Sequence, residues 1–190
     1  ANMENLNYHV SMGATAEAVA KKYEITREDA DGFSFNSHKK ASSALKNEKF
    51  KNQIVPVEVN EVFVKTGKNE PTSFTVELDE GVRHNTTIEA LSKLRPAFKK
   101  NGVVTAGNSS QTSDGAAFTL VVSEEIVNKL NLKPIAKMLS CAVGGVDPLY
   151  MGIGPCVAIP KALKQAGIKK NDLEQTELNE AFAVQALAVI

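Results

Sequence analysis

Between Ala117 and Ile190 short apolar runs alternate with helix-forming runs, and nothing else in the sequence constrains the fold as strongly. Ala117–Val122, Pro134–Ala142 and Leu173–Leu178 are apolar and of strand length. Ser123 is placed to cap a helix reaching Leu130. Ile159–Ala166 reads as a second helix, stopped by Gly167, and a third follows from Glu180. Such alternation predicts an α/β fold with a mostly parallel sheet.

The first hundred or so residues do not fit that scheme and read as a separate helix-and-hairpin subdomain. Thr15–Tyr23 is rich in Ala and Lys and predicts a short helix. Thr26 is a good N-cap, with Glu28 and Asp29 in the first turn where carboxylates favour the helix dipole. Ala30, Phe33, Ser37, Ala41 and Leu45 then recur at helical spacing, to about Asn47. Gln53–Lys65 carries Ile54, Val55, Val57, Val59, Val62 and Val64, β-branched as in strands. Thr66–Pro71 reads as a turn, and Ser73–Leu78 as a partner strand. Thr86-Thr87-Ile88-Glu89 offers a capping box for a helix ending near Leu94, before Pro96. Asn101–Ala116, rich in Gly, Ser, Thr and Asn, is a loop with much hydrogen-bonding capacity.

Lys+Arg and Asp+Glu both number 22, which argues against a dedicated nucleic-acid binder. No apolar run reaches the roughly 18 residues of a membrane span, and the polar start, Ala1–Leu6, has no signal-peptide pattern. Two cysteines among 190 residues make no disulfide framework, so an intracellular, cytoplasmic setting is expected. Ala181–Ile190 is an apolar helical run ending in mid-pattern, as in a chain cut from a longer one.

Candidates for chemistry are few. His38 stands with Lys39 and Lys40 and reads as part of a solvated helix face; His9 precedes Ser11-Met12-Gly13 in a loop; His84 follows Arg83. No His pair has metal-ligand spacing, so no metal is expected. G-x-S-x-G, P-loop and G-x-G-x-x-G patterns are missing from the sequence. Cys156, after Gly154-Pro155, starts a predicted helix where a thiol pKa can fall, although a buried packing role is favoured. Cys141 falls in a predicted buried strand, where packing is again favoured. Asn179-Glu180 sits between an apolar strand and an apolar helix, at the carboxyl edge where α/β sheets bind ligands. Asn179 there could donate to a developing oxyanion or hold a water, while composition alone favours an N-cap.

Six ordered motifs then converge. Asn179-Glu180-Ala181-Phe182-Ala183 resembles the N-E-A-F-A signature of thiolases. Leu94-Arg95-Pro96-Ala97-Phe98, Thr105-Ala106-Gly107-Asn108-Ser109-Ser110 and Ser113-Asp114-Gly115-Ala116-Ala117 resemble that family's L-[RK]-P-A-F, T-A-G-N-[AS]-S and D-G-A-A run in order and spacing. Met12-Gly13 with Thr15-Ala16-Glu17 resembles M-G-x-T-[AS]-E, and Met151-Gly152-Ile153-Gly154-Pro155 resembles M-G-x-G-P.

The resemblance implies a partial five-layered α-β-α-β-α fold with a mainly helical inserted loop domain. Residues 1–112 would be most of that CoA-binding loop domain, 113–131 the end of the first half and 132–190 the start of the second. It implies a 3-ketoacyl-CoA thiolase, an acetyl-CoA acyltransferase that splits 3-ketoacyl-CoA with CoA as substrate and holds no permanent cofactor. The alternatives are a biosynthetic acetoacetyl-CoA thiolase and a non-catalytic acyl-CoA-binding module. The family's nucleophilic cysteine, its G-H-P histidine and its C-x-G-G-G cysteine have no counterpart here; Cys141 and Cys156 match neither context, and the chain alone is expected to be inactive. Of the catalytic set the resemblance leaves Asn179, positioning a water in the oxyanion hole. It puts Arg83 against adenine-ribose, Ser110 on pantetheine, and Met12, Ala97, Phe98, Ala106, Met151 and Phe182 along the pantetheine and acyl channel. Asp79-Glu80-Gly81-Val82-Arg83, Asn85-Thr86-Thr87 and Ser109-Ser110-Gln111 resemble the degradative type, and His84 the biosynthetic one. A homodimer or homotetramer is expected.

Overall fold

The computed structural model describes residues 10–65 and 68–190. His9, Thr66 and Gly67 lie outside the described residues, so the loop role of His9 and the start of the expected turn do too.

Capping chemistry decides where the first helices begin. Ser11 accepts from Ala14 N–H and opens α1, Met12–Lys22. Thr26 opens α2, Arg27–Lys46, through a reciprocal capping box with Asp29. These arrangements satisfy backbone donors that a first helical turn leaves without partners. α1 buries Thr15, Ala16, Val19 and Ala20, and α2 buries Ala30, Asp31 and Ser34.

A two-stranded antiparallel hairpin follows, β1 (Val57–Lys65) and β2 (Lys68–Val76), in a register pairing Val57 with Val76 and Lys65 with Lys68. Lys68–Pro71, read from sequence as turn, is therefore strand. The next helix, α3 (Ile88–Ser92), is capped by Thr87, which accepts from Ala90 N–H. The box expected from Thr86 does not form, because the hydroxyl that reaches the third residue of this helix belongs to the next position.

The later helices are α4 (Glu124–Lys129), capped by Ser123, α5 (Gly154–Ala166) and α6 (Ala183–Val189), with a 3-10 helix at Pro148–Ile153. Gly167 ends α5 at φ 71°, a left-handed position where a side chain would strain the backbone. The expected strands Ala117–Val122, Pro134–Ala142 and Leu173–Leu178 carry no ladder. The physical reason is that a strand needs a neighbour for its backbone groups, and none of the three is hydrogen-bonded to one. Cys141 is correspondingly exposed rather than buried.

The core is small. Ala16, Ala20, Ala30, Val104, Ala183 and Val184 bring α1, α2 and α6 together around the loop at Val104, with Ile25, Phe33, Val103 and Phe182 against them. Among the described residues no helix is long and apolar enough to cross a membrane.

Candidate functional site

α6 begins at Ala183, with Phe182 as its N-cap residue. Asn179 therefore lies three residues upstream of that cap, and the N-cap role that composition favours for it is not realised. The segment Leu178–Phe182 instead docks on the Thr105–Ser110 loop. Ser109 and Phe182 form an isolated antiparallel bridge, Ser110 N–H donates to Ala181 C=O at 2.9 Å, and Ala183 N–H donates to Asn108 C=O at 3.0 Å.

Asn179 borders two cavities. The first, about 380 Å³, is bordered by Met12, Val19, Met151, Asn179, Phe182 and Gln185 among others. The second, about 540 Å³, is more polar and is bordered by Ser37, His38, Ser110, Asn179 and Glu180 among others. Of the residues expected at the site, Met12, Met151, Phe182 and Asn179 thus meet at one cavity, and Ser110 and Asn179 at the other. Arg83, Ala97, Phe98 and Ala106 border neither. Phe98 still touches the group, packing edge-to-face on Phe182 at 6.1 Å between ring centroids. Ala97 N–H donates to Val104 C=O at 2.9 Å, which ties the Leu94–Phe98 motif to the loop. Ala106 is exposed at the tip of that loop.

Arg83 is exposed, and its N–H donates to Nδ1 of His38 at 3.3 Å. His38 is therefore half-buried beside the polar cavity, which corrects its reading as a solvated lysine-side residue. Burial, then the Arg83 charge, hold its imidazole below the ordinary histidine pKa, against an opposing pull from Glu180. His84 Nδ1 shares a hydrogen bond with Ser42 at 2.7 Å. Cys156 is exposed in the first turn of α5, with Sγ 4.0 Å from Ala188 C=O, so its favoured reading as a buried packing residue also fails. Among the described residues no cluster of three His, Cys, Asp or Glu side chains could hold a metal ion.

Sequence reasoning missed the polar side chains that hold the loop. Glu17, 7% exposed, accepts from Val103 N–H and Val104 N–H. Asp31, 2% exposed, accepts from the Asn108 amide at 2.9 Å and pairs with Arg27 at 2.7 Å. The Asn108 side chain also accepts from Thr105 N–H and donates to Val103 C=O. The available signal was position: Glu17 sits among Ala16, Val19 and Ala20, and Asp31 follows Ala30, both on apolar helix faces where a carboxylate must find donors.

Residues 2–125 match the family model described as thiolase, N-terminal domain, and residues 132–190 the one described as thiolase, C-terminal domain. The 3-ketoacyl-CoA thiolase of Bacillus subtilis is 54% identical over 184 residues, covering 96% of this chain and 47% of the relative. The acetyl-CoA acetyltransferase of Bacillus anthracis superposes with a TM-score of 0.86 at 42% identity, over 95% of this chain and 44% of that one. Human mitochondrial 3-ketoacyl-CoA thiolase in complex with CoA superposes at 0.81 and 39% identity, over 95% and 43%. The 190 residues thus span about half the length of the relatives they match. The architecture is a partial thiolase α/β fold, and the chain belongs to the thiolase family.

Proposed function

We propose that this chain is the CoA-facing part of a 3-ketoacyl-CoA thiolase working in the degradative direction. The complete enzyme would split 3-ketoacyl-CoA with free CoA, giving acetyl-CoA and a shortened acyl-CoA. The observation that carries the reading is the meeting of Asn179 with Met12, Met151 and Phe182 at one mainly apolar cavity. A thioether- and aromatic-lined channel suits an acyl or pantetheine chain, and the Asn179 amide at its wall suits a thioester oxygen that gains negative charge. Asn179 would hold a water against that oxygen. Ser110, on the other cavity, would meet pantetheine, and Arg83 would reach adenine-ribose with stacking and charge. Ala97, Phe98 and Ala106 would support the channel from the loop side. The nucleophilic cysteine would come from outside these 190 residues, so the isolated chain would not turn over. No permanent cofactor is needed for acyl transfer through a cysteine thioester. The complete protein would be an intracellular homodimer or homotetramer.

The experiment is thiolysis by the complete gene product, with acetoacetyl-CoA and a long-chain 3-ketoacyl-CoA side by side, and with Asn179→Ala. Turnover of both, falling about a hundredfold in the variant, is expected, since one oxyanion donor is worth about 3 kcal/mol. Turnover of acetoacetyl-CoA alone would favour the biosynthetic reading, to which His84 points. Absence of turnover with either, alongside CoA binding, would leave a binding module.

A further inference from the structure

We infer that α2 positions Asn179, through Asp31 and Ser37; the inference rests on the proposed role of Asn179. Two hydrogen-bond chains run from this helix to the two sides of the loop–segment contact. Asp31 accepts from the Asn108 amide at 2.9 Å, and the backbone C=O of Asn108 receives Ala183 N–H at 3.0 Å. Six residues along the same helix, Ser37 Oγ donates to Oε2 of Glu180 at 2.5 Å, and Glu180 is the neighbour of Asn179.

Arg27 fixes the origin of this ruler. Its Nε holds Asp31 at 2.7 Å, and its Nη2 donates to Leu91 C=O and Leu94 C=O at 2.6 and 3.1 Å. The Asp31 carboxylate is therefore used on both oxygens, by Arg27 and by Asn108, and it is nearly inaccessible to solvent. A buried charge with fixed donors holds its geometry because breaking either bond leaves an unsatisfied group in a low-dielectric interior. Among the described residues, the backbone from Glu174 to Asn179 makes no hydrogen bond to another element. The hydrogen bonds that anchor the backbone next to Asn179 in this chain come from its C-terminal side and lead back to α2.

A misplaced catalytic amide loses transition-state stabilisation while ground-state binding of CoA survives. Asp31 and Ser37 are accordingly positioning residues, and the test separates that from mere support of the fold. Ser37→Ala, Asp31→Asn, Asn179→Ala and the double variant Ser37→Ala/Asn179→Ala are compared in the complete gene product. Ser37→Ala, which removes a solvent-accessible bond, keeps the test decisive if Asp31→Asn does not fold. The expected result is a fall in kcat of about tenfold for each positioning variant, with KM for CoA within about twofold. In the Asn179→Ala background, Ser37→Ala is expected to cost nothing further, because both act on one group. Additive losses in the double variant, or an unchanged kcat per folded molecule, would overturn the inference. If the wild-type product shows no thiolysis, it is the proposed function that fails, and amide exchange in the 190-residue chain then decides the geometry. Ser37→Ala is expected to speed exchange at Ser110 and Ala183 about tenfold, and unchanged rates would refute the ruler.

Discussion

The carboxylate of Glu17 fills the space that a Cβ on Gly102 would need. The same carboxylate receives Val103 N–H at 3.2 Å and Val104 N–H at 2.9 Å, so α1 caps the start of the 102–110 loop as if the loop were a helix terminus. Gly102→Ala is therefore expected to expel a buried carboxylate from both bonds. The loss should reach about 2–3 kcal/mol, the range for a buried charged acceptor and its stranded donors. Glu17→Gln keeps the shape but turns its N–H₂ toward one of the two donors, and should cost about 1–2 kcal/mol. Urea unfolding of the three proteins measures both; a Gly102→Ala midpoint equal to wild type would refute the packing argument.

Two helical glycines give opposite expectations for one substitution. A Cβ on Gly13, in the first turn of α1, would lie on the ring of Phe98, whereas a Cβ on Gly32, inside α2, would meet nothing within 4 Å. Gly32→Ala should therefore stabilise by about 0.5–1 kcal/mol through backbone entropy and helix propensity. Gly13→Ala must push Phe98 off its contact with Phe182, an edge-to-face pair worth about 0.5–1.5 kcal/mol beyond area. Thermal or urea denaturation should show Gly32→Ala above wild type and Gly13→Ala at or below it. The reverse order would show that Phe98 does not rest on α1.

His38 supplies a pH dependence. Burial and the Arg83 charge lower its pKa, and its Nδ1 accepts Arg83 N–H, which a protonated ring could not do. The unfolded chain then binds a proton before the folded one does, so stability rises with pH across the window between the lowered folded value and the ordinary 6.5. The contribution is fully present above 6.5 and is lost as pH falls through the folded pKa. His38→Gln keeps an acceptor for Arg83 without the titration. Urea midpoints at several pH values from about 5 to 7.5 should fall less steeply in this variant than in wild type; parallel curves would remove His38 as the source.

What the sequence made readable follows the range of the forces involved. Caps act over three residues, so Thr26, Ser123 and Gly167 marked helix ends that the structure shows. The motifs at Thr105–Ser110 and Asn179–Ala183 stood out as patterns, and the structure joins them in one bridge at Ser109 and Phe182. Strand pairing is non-local, and the three apolar runs had the right composition without a neighbour to pair with. Asp31 follows Ala30 on an apolar helix face, but nothing local reveals that Asn108, 77 residues away, supplies its donor. His38 was misread for the same reason: Arg83 reaches it across 45 residues.

Unpaired apolar segments set the last expectation. Phe118 is 98% exposed and Ile135 fully so, each within an extended run whose backbone groups have no ladder partner. Exposed apolar strand edges recruit other edges, because pairing satisfies backbone groups and removes side chains from water together. The isolated 190-residue chain should therefore self-associate at micromolar concentration, with association weakening at lower protein concentration and in dilute urea. Phe118→Lys and Ile135→Lys put a charge on each run and should shift sedimentation toward the monomer, while urea stability of the α1–α2–α6 core stays within about 0.5 kcal/mol of wild type. Phe118 and Ile135 make this a test of the edges alone, since neither belongs to that core. A monodisperse monomer in the wild-type chain would mean that these runs find partners within the molecule, and the two lysine variants would then lose stability instead of gaining solubility.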